Sequence, residues 1–440
     1  MAQISSICKR SVVSSEPVQS GKTCQLSVLD RVMEKNNVRI VLYNKNQVKK
    51  DGGETTRKLK ESLAEVLSSF PIITGRLAKT PEGHWTINCN DAGVRIVEAK
   101  AEGNVEEWLR NVNRDKELLL VHWEVMLHKP YFWSTFYIQL TEFKQGGIAI
   151  GLSCSHLLAD PICATMFLKA WAETTLGRTM TSPPFFHPLP PRRPANINQN
   201  RRHYYELINC YKNPIPSLPA PQHATSTITL EFSHQMVTAC MTMHEGLTLT
   251  PFEALAALFW VAISKVKESK RGLIKMSICL DMRKVLGLDK GFFGNCMIYN
   301  KVDFASRLDH NELMVLEAGL AIKNVANKMD NEGIMDLVEW LESKNHQSPP
   351  MMSDHDLICV NLENVEAYNI MFDDEQNKPI RASYYVEPAV GEGKILILPS
   401  PESSKGSLNK VVMVTLPGDE AVKLCQEALL MKFCPTICMA

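Results

Sequence analysis

An α/β fold in two domains, with mixed sheets and flanking helices, is what this sequence predicts, and three observations carry the prediction. Apolar residues at helical spacing alternate along the chain with short β-branched runs bounded by turn residues. Ten of the 24 prolines fall within residues 181–221, among them Pro183, Pro184, Pro188, Pro190, Pro191 and Pro194. No helix or central strand accepts that density, so the segment reads as a crossover linker. It separates halves of similar size, each mixing strands and helices, and the expected boundaries are 1–180, 181–221 and 222–440.

In the first half, Leu59, Leu63, Leu67 and Phe70 recur at helical spacing after Thr55 and Thr56, and Pro71 ends the pattern. This is an amphipathic helix whose apolar stripe belongs to a core. The runs Gly83-His84-Trp85-Thr86-Ile87-Asn88-Cys89 and Val94-Arg95-Ile96-Val97-Glu98-Ala99 flank Asn90-Asp91-Ala92-Gly93 and read as a hairpin. A second hairpin follows, residues 133–143 and 148–154 about a Gly146-Gly147 turn, and it delivers His156 at its rim. Pro161, at a first helical position, opens a helix over residues 161–175 with Ile162, Met166, Leu168 and Trp171 near helical spacing. Asp160 then lies at that helix's N-terminus, where a carboxylate suits the unpaired N–H groups and the macrodipole.

In the second half, Thr250-Pro251-Phe252-Glu253 combines an N-cap threonine, a first-turn proline and a glutamate three places on, opening a helix through Leu255, Leu258 and Trp260. A strand over residues 275–280 leads into Asp281-Met282-Arg283. In Gly291-Phe292-Phe293-Gly294-Asn295, two glycines bracket two aromatics, which signals close approach of backbone to something, a substrate channel being one option. Gly391-Glu392-Gly393-Lys394 lacks the rest of a phosphate loop and reads as a turn before a strand at residues 395–398.

Composition narrows the function classes. A chain of 440 residues, 45% hydrophobic, can bury one or more substantial cores. Lys plus Arg and Asp plus Glu both number 48, so no overall charge draws the chain to nucleic acid or an anionic membrane. No apolar run reaches the roughly 18 residues of a membrane span, and Lys9 and Arg10 have no apolar segment behind them. The thirteen cysteines are scattered singly from Cys8 to Cys438 without a zinc-like cluster, which fits reduced thiols in the cytosol and no metal. Cys438 stands one place too late for a prenylation box. A monomeric cytoplasmic protein without a cofactor is the expectation.

His156 carries most of the chemical information, because imidazole titrates nearest neutrality and can take a proton from an alcohol or amine. On its spacing alone, His156-x-x-x-Asp160 is more often a core histidine bonded to backbone than a catalytic one. A hydrolase reading of Gly151-Leu152-Ser153-Cys154-Ser155 lacks the final glycine of a nucleophile elbow.

Several pieces in order resemble the plant BAHD acyltransferases, the HXXXD-type family, over almost the whole chain. They are Leu26-Ser27-Val28-Leu29-Asp30, residues 59–77 with Gly75-Arg76-Leu77, the turn after Cys89, His156 to Asp160, residues 250–260, Asp281-Met282-Arg283 and Phe293-Gly294-Asn295. The resemblance implies the two-domain coenzyme A-dependent, chloramphenicol acetyltransferase-like fold, with a solvent channel between the halves and strands from about 379–399 returning to the first. It implies that His156 is the general base, activating an alcohol or amine acceptor for direct attack on an acyl-CoA co-substrate. Asp160 would orient the loop by pairing with Arg283. The family's second signature falls on Asp373-Asp374-Glu375-Gln376-Asn377-Lys378-Pro379, where only Asp373 and Lys378-Pro379 match. Where a carbonyl-binding Trp is usual, this chain has Val360-Asn361-Leu362-Glu363, leaving Asn361 as the oxyanion or substrate contact. Both departures, with Asn90-Asp91 and Glu142-Phe143-Lys144-Gln145-Gly146-Gly147, are similar to the eceriferum and glossy branch of wax biosynthesis. That likeness implies an alternative: a non-catalytic accessory of very-long-chain fatty-acid elongation, peripheral to the endoplasmic reticulum and partnered with an elongase.

Overall fold

A computed structural model describes residues 4–17, 21–45, 52–125, 130–190, 201–212, 224–243, 249–268, 272–304, 311–344, 356–373, 377–389, 391–402 and 406–440. The strands in chain order are β1 (Ile4–Val12), β2 (Thr23–Gln25), β3 (Asn37–Asn44), β4 (Arg76–Lys79), β5 (Trp85–Asn88), β6 (Val94–Ala101), β7 (Phe136–Phe143) and β8 (Ile148–Ser155). Then come β9 (Thr225–Phe232), β10 (Met276–Asp281), β11 (Met297–Val302), β12 (Leu357–Asn361), β13 (Arg381–Glu387), β14 (Gly393–Pro399), β15 (Lys410–Pro417) and β16 (Thr436–Met439).

Two compact units divide the chain. The first comprises Met1–Leu189, Asp289–Cys296 and Val365–Pro388; the second comprises Pro190–Leu288, Met297–Asn364 and Ala389–Ala440. The first unit holds a six-stranded sheet in the order β1-β6-β7-β8-β3-β13 and a three-stranded sheet, β2-β5-β4. The second holds a seven-stranded sheet, β11-β10-β12-β14-β15-β9-β16.

Several expectations from the sequence change here. Residues 289–296 pack with the first unit rather than with the 222–440 half. Of the returning strands, β13 pairs with β3 in the first sheet, whereas β14 lies between β12 and β15 in the second. The proline-dense segment carries a helix, Arg201–Lys212, in its proline-free stretch between Pro194 and Pro214, while residues 191–200 and 213–223 fall outside the described residues. The Asn90–Gly93 turn does not close a hairpin either: β5 pairs with β2 and β4, and β6 with β1 and β7. The buried Arg76 guanidinium holds the turn open. Its Nη1 donates to Gly93 O at 2.8 Å and its Nη2 to Ala92 O at 2.9 Å, which commits those carbonyls away from a ladder. On the outer side, Asp91 accepts from Ser14 N at 3.1 Å, tying the turn to the end of β1.

Elsewhere the local rules operate as read. β7 and β8 form an antiparallel hairpin in which Phe136 faces Cys154, and Gly146 and Gly147 take φ of 116° and 99° in its turn. Thr250 caps the helix Pro251–Val266, with its hydroxyl accepting from Glu253 N and its own N–H donating to the Glu253 carboxylate at 2.8 Å. That helix is buried along nearly its whole length and is the spine of the second unit's core, packed among Ile228, Ile278, Cys359, Ile395 and Val412. Among the described residues no helix is long and apolar enough to cross a membrane.

In the first unit the sheet edge is secured by Glu117, a fully buried carboxylate on the helix Arg114–Leu118. It accepts from Tyr43 Oη on β3 at 2.8 Å, from Ser383 Oγ on β13 at 2.9 Å, and from Tyr385 Oη on β13. Burial, and then the Glu117 charge, push both tyrosines above their ordinary range, so they stay protonated donors. A buried charge this well bonded fixes the returning strand in place.

The hairpin that ends at His156 also depends on a missing side chain. A Cβ at Gly151 would lie 2.0 Å from the Leu120 carbonyl oxygen, so the loop before β7 can pass over β8 only at glycine. Gly151→Ala is expected to lower unfolding free energy by about 1–3 kcal/mol in urea titration. Gly53→Ala, in a helix with nothing within 4 Å of the new atom, should be neutral or slightly stabilising. Equal midpoints for the two variants would show that the close approach at Gly151 is not a constraint.

Candidate functional site

His156 follows directly on β8, with 2% of its surface exposed. Its main chain is held on both sides: its N–H donates to Asn36 O at 3.0 Å, just before β3, and its carbonyl accepts from Asn295 Nδ2 at 2.8 Å. Four residues on, Asp160 is fully buried and caps the helix Pro161–Thr175, the helix that the sequence predicts. Its Oδ1 accepts from Cys163 N at 2.9 Å and its Oδ2 from Cys296 N at 3.1 Å. The carboxylate therefore ties the helix start to residues 289–296 while closing the turn that carries His156. Both oxygens are engaged with main-chain N–H groups, as a structural role requires.

The segment 289–296 is anchored as closely. Phe185 N donates to Gly291 O at 2.7 Å and Phe293 N to Phe185 O at 3.0 Å, and a Cβ at Gly291 would lie 1.9 Å from Pro183 O. The close approach expected at these glycines is thus to the backbone at Pro183 for Gly291, and to the Phe292 ring, 3.0 Å from a Cβ, for Gly294. Phe293 packs edge-on against Phe70 at 5.5 Å between centroids, completing an aromatic cluster with Phe186 and Phe167.

Behind His156 lies a residue to which sequence reasoning assigned no role. Asp30 Oδ1 accepts from both Asn295 N (2.9 Å) and Asn295 Nδ2 (2.8 Å), and its Oδ2 accepts from Ser27 N at 2.7 Å. Burial pushes the Asp30 carboxyl above its ordinary range, and the donated bonds from Asn295 and Ser27 oppose that. Ser27 completes a capping box on the helix Val28–Val32. The Ser27-x-x-Asp30 spacing is the sequence signal that could have found it. The partner Asn295, 265 residues away, has no local signal.

Arg283 and Asn361 belong to the second unit. There the Arg283 guanidinium pairs with Asp281 Oδ1 at 2.8 Å, and Asn361 Oδ1 accepts from Glu363 N at 3.0 Å. Asp373 belongs to the first unit, as His156 does. It lines a cavity of about 200 Å³ with Asn44, Lys58, Phe372 and Asn377. Asn44 faces Ile148 at one end of the β3–β8 pair and Asn37 faces Ser155 at the other, so roughly 20 Å of strand separates cavity from histidine. Residues 374–376 of the altered signature lie outside the described residues.

The Cys154 nucleophile of the hydrolase reading does not fit, because burial pushes its thiol well above the ordinary range. No group of His, Cys, Asp and Glu among the described residues could hold a metal ion.

A family model described as Transferase family matches residues 2–431. The chain belongs to that family, the BAHD acyltransferases. By this membership it is an acyl-transferring enzyme. Protein ECERIFERUM 2 of Arabidopsis thaliana is 25% identical, over 96% of this chain and 97% of that protein. Protein ECERIFERUM 26-like of the same plant is 24% identical over 94% and 92%. Rosmarinate synthase of Plectranthus scutellarioides is 28% identical over 81% and 84%. Among solved structures, vinorine synthase covers 97% of this chain and 98% of its own at 18% identity, with a TM-score of 0.72. F. graminearum TRI101 complexed with coenzyme A and deoxynivalenol gives 0.74 at 13% identity, covering 95% of this BAHD chain and all of its own. These likenesses establish the two-domain coenzyme A-dependent acyltransferase fold.

Asn295→Ala would strip the side-chain donor from both Asp30 and the His156 carbonyl, while the backbone N–H of residue 295 stays on Asp30, and is expected to cost about 1–3 kcal/mol for each polar group left unsatisfied. Asn295→Asp, which sets a second carboxylate against a buried one, should be worse. Thermal unfolding tests both. Midpoints within a degree of wild type would mean that this network does not hold the His156 loop.

Proposed function

We propose that this BAHD protein transfers an acyl group from a coenzyme A thioester to an alcohol or amine, with His156 as general base. The observation that carries the reading is the fixed backbone of His156, held at its N–H by Asn36 and at its carbonyl by Asn295. A base positioned by such bonds can meet an acceptor in one orientation. The imidazole takes the proton from the acceptor's O–H or N–H as that atom attacks the thioester carbonyl carbon. The resulting oxyanion collapses, the C–S bond breaks, and the departing thiolate takes the proton back from His156. No acyl-enzyme forms, in keeping with the buried, protonated Cys154.

Asp160 acts in this scheme as a positioning residue through its cap and its bond to Cys296. Asn361, whose Oδ1 is committed to Glu363, would offer its amide N–H₂ to the oxyanion.

A second reading is favoured by the altered segment 373–379 and by the full-length likeness to the ECERIFERUM proteins. In it the chain serves very-long-chain fatty-acid elongation as an accessory of an elongase at the endoplasmic reticulum, without using His156. The distance of Asp373 from His156 supports the first reading, because Asp373 and Asn377, which flank the altered residues, line the cavity at the Asn44 end of β3.

His156→Ala should reduce acyl transfer by about 10²–10⁴-fold, the usual worth of a general base, while circular dichroism and the melting midpoint stay near wild type. The assay is coenzyme A release by purified protein from a broad panel of acyl-CoA donors with alcohol and amine acceptors. Wild-type protein that turns over none of them, together with unchanged elongation products in cells carrying His156→Ala and an elongase, would replace the first reading by the second.

A further inference from the structure

β2 is an edge strand, and in its antiparallel register with β5 Cys24 stands opposite Ile87. Side chains two apart on a strand share a face, so Cys89, two residues beyond Ile87, comes diagonally beside Cys24. The main chain supports that placement, with Cys89 N donating to Lys22 O at 2.9 Å. The two sulfur atoms are 3.7 Å apart. Cys24 is half-buried and Cys89 is 1% exposed, so one sulfur is open to a small solute and the other is shielded.

We propose that Cys24 and Cys89 are a modification site: a dithiol that hydrogen peroxide converts to a reversible disulfide, with Cys24 attacking and Cys89 resolving. The Cys24 thiolate attacks one peroxide oxygen, an S–O bond forms, the O–O bond breaks and hydroxide leaves, giving a sulfenic acid. The Cys89 sulfur then attacks the Cys24 sulfur. The S–S bond forms, the S–O bond breaks, and the departing hydroxide takes the Cys89 proton as water. Two thiols lose two electrons and peroxide gains them, so no other oxidant is needed.

The electrostatics favour this division of labour. The Cys89 thiol donates to Cys24 and lowers its pKa; burial opposes this and Lys22 assists it, while the same contact and burial raise Cys89. Contraction to a bonded distance of about 2.05 Å requires movement of a three-residue edge strand, which pairs with β5 alone. The bond would pin β2 to the segment after β5. β2 leads through Leu26, whose N–H donates to Trp85 O, to the Ser27 and Asp30 cap behind His156.

The test uses the full reduced chain, exposed to hydrogen peroxide, alkylated with N-ethylmaleimide and mapped by non-reducing peptide mass spectrometry. The expected result is a Cys24–Cys89 linked peptide that dithiothreitol reverses, with a higher melting midpoint for the oxidised protein. In Cys89→Ser, Cys24 should accumulate as a dimedone-reactive sulfenic acid, and in Cys24→Ser, Cys89 should stay unmodified. Recovery of both as alkylated thiols, under conditions that oxidise the exposed Cys434, would overturn the proposal. So would capture of Cys89 by any other cysteine. None of these readouts depends on the reaction at His156.

Discussion

One buried carboxylate sets the position of the proposed base. Asp30 accepts three N–H bonds, two of them from Asn295, and Asn295 then donates to the carbonyl of His156. An unsatisfied carboxylate at that depth would be prohibitive, so its presence requires all its donors to be in place at once. That requirement converts a cost into geometry. The donors that meet it come from near the start of the chain and from residues 289–296, and through Asn295 they fix the hairpin end at His156.

The same logic appears a second time at Glu117, where three hydroxyl donors from two strands converge on a carboxylate at the sheet edge. The first unit therefore has two polar anchors, one at the His156 end and one locking β13 to β3. Between them the sheet is apolar, with Ile40, Val41, Ile150 and Leu152 fully buried. Asp373 faces the cavity at the Asn44 end, where the Asn44 amide is buried with no partner among the described residues.

Much of this was legible in the sequence wherever the controlling interaction is local. The Thr250 capping box, the Asp160 cap, the Pro161 helix start and the Gly146-Gly147 hairpin are each set by residues within a few positions of one another. What could not be read depends on partners far along the chain. The turn at residues 90–93 has hairpin chemistry, yet Arg76 and Ser14 take its polar groups and send β5 and β6 to different sheets. Asp30 has a visible capping motif, but its service to His156 runs through a residue 265 positions away. The assignment of residues 289–296 to the first unit turns on ladder bonds with Phe185 that no periodicity announces.

The late entry of β13 bears on how the chain is made. Synthesis proceeds from the N-terminus, and domains ordinarily fold as they emerge. Here β3 keeps one flank open, with those N–H and C=O groups between Val38 and Tyr43 that do not pair with β8 left without a strand partner, until residues 381–387 have been translated. Residues 289–296, which complete the cradle of His156, also arrive a hundred positions after Leu189, where the unit's first segment ends. For most of its time on the ribosome the nascent protein thus presents an apolar sheet edge able to pair with a neighbouring chain. Shielding of that edge by a chaperone until β13 is made is what this order of synthesis calls for.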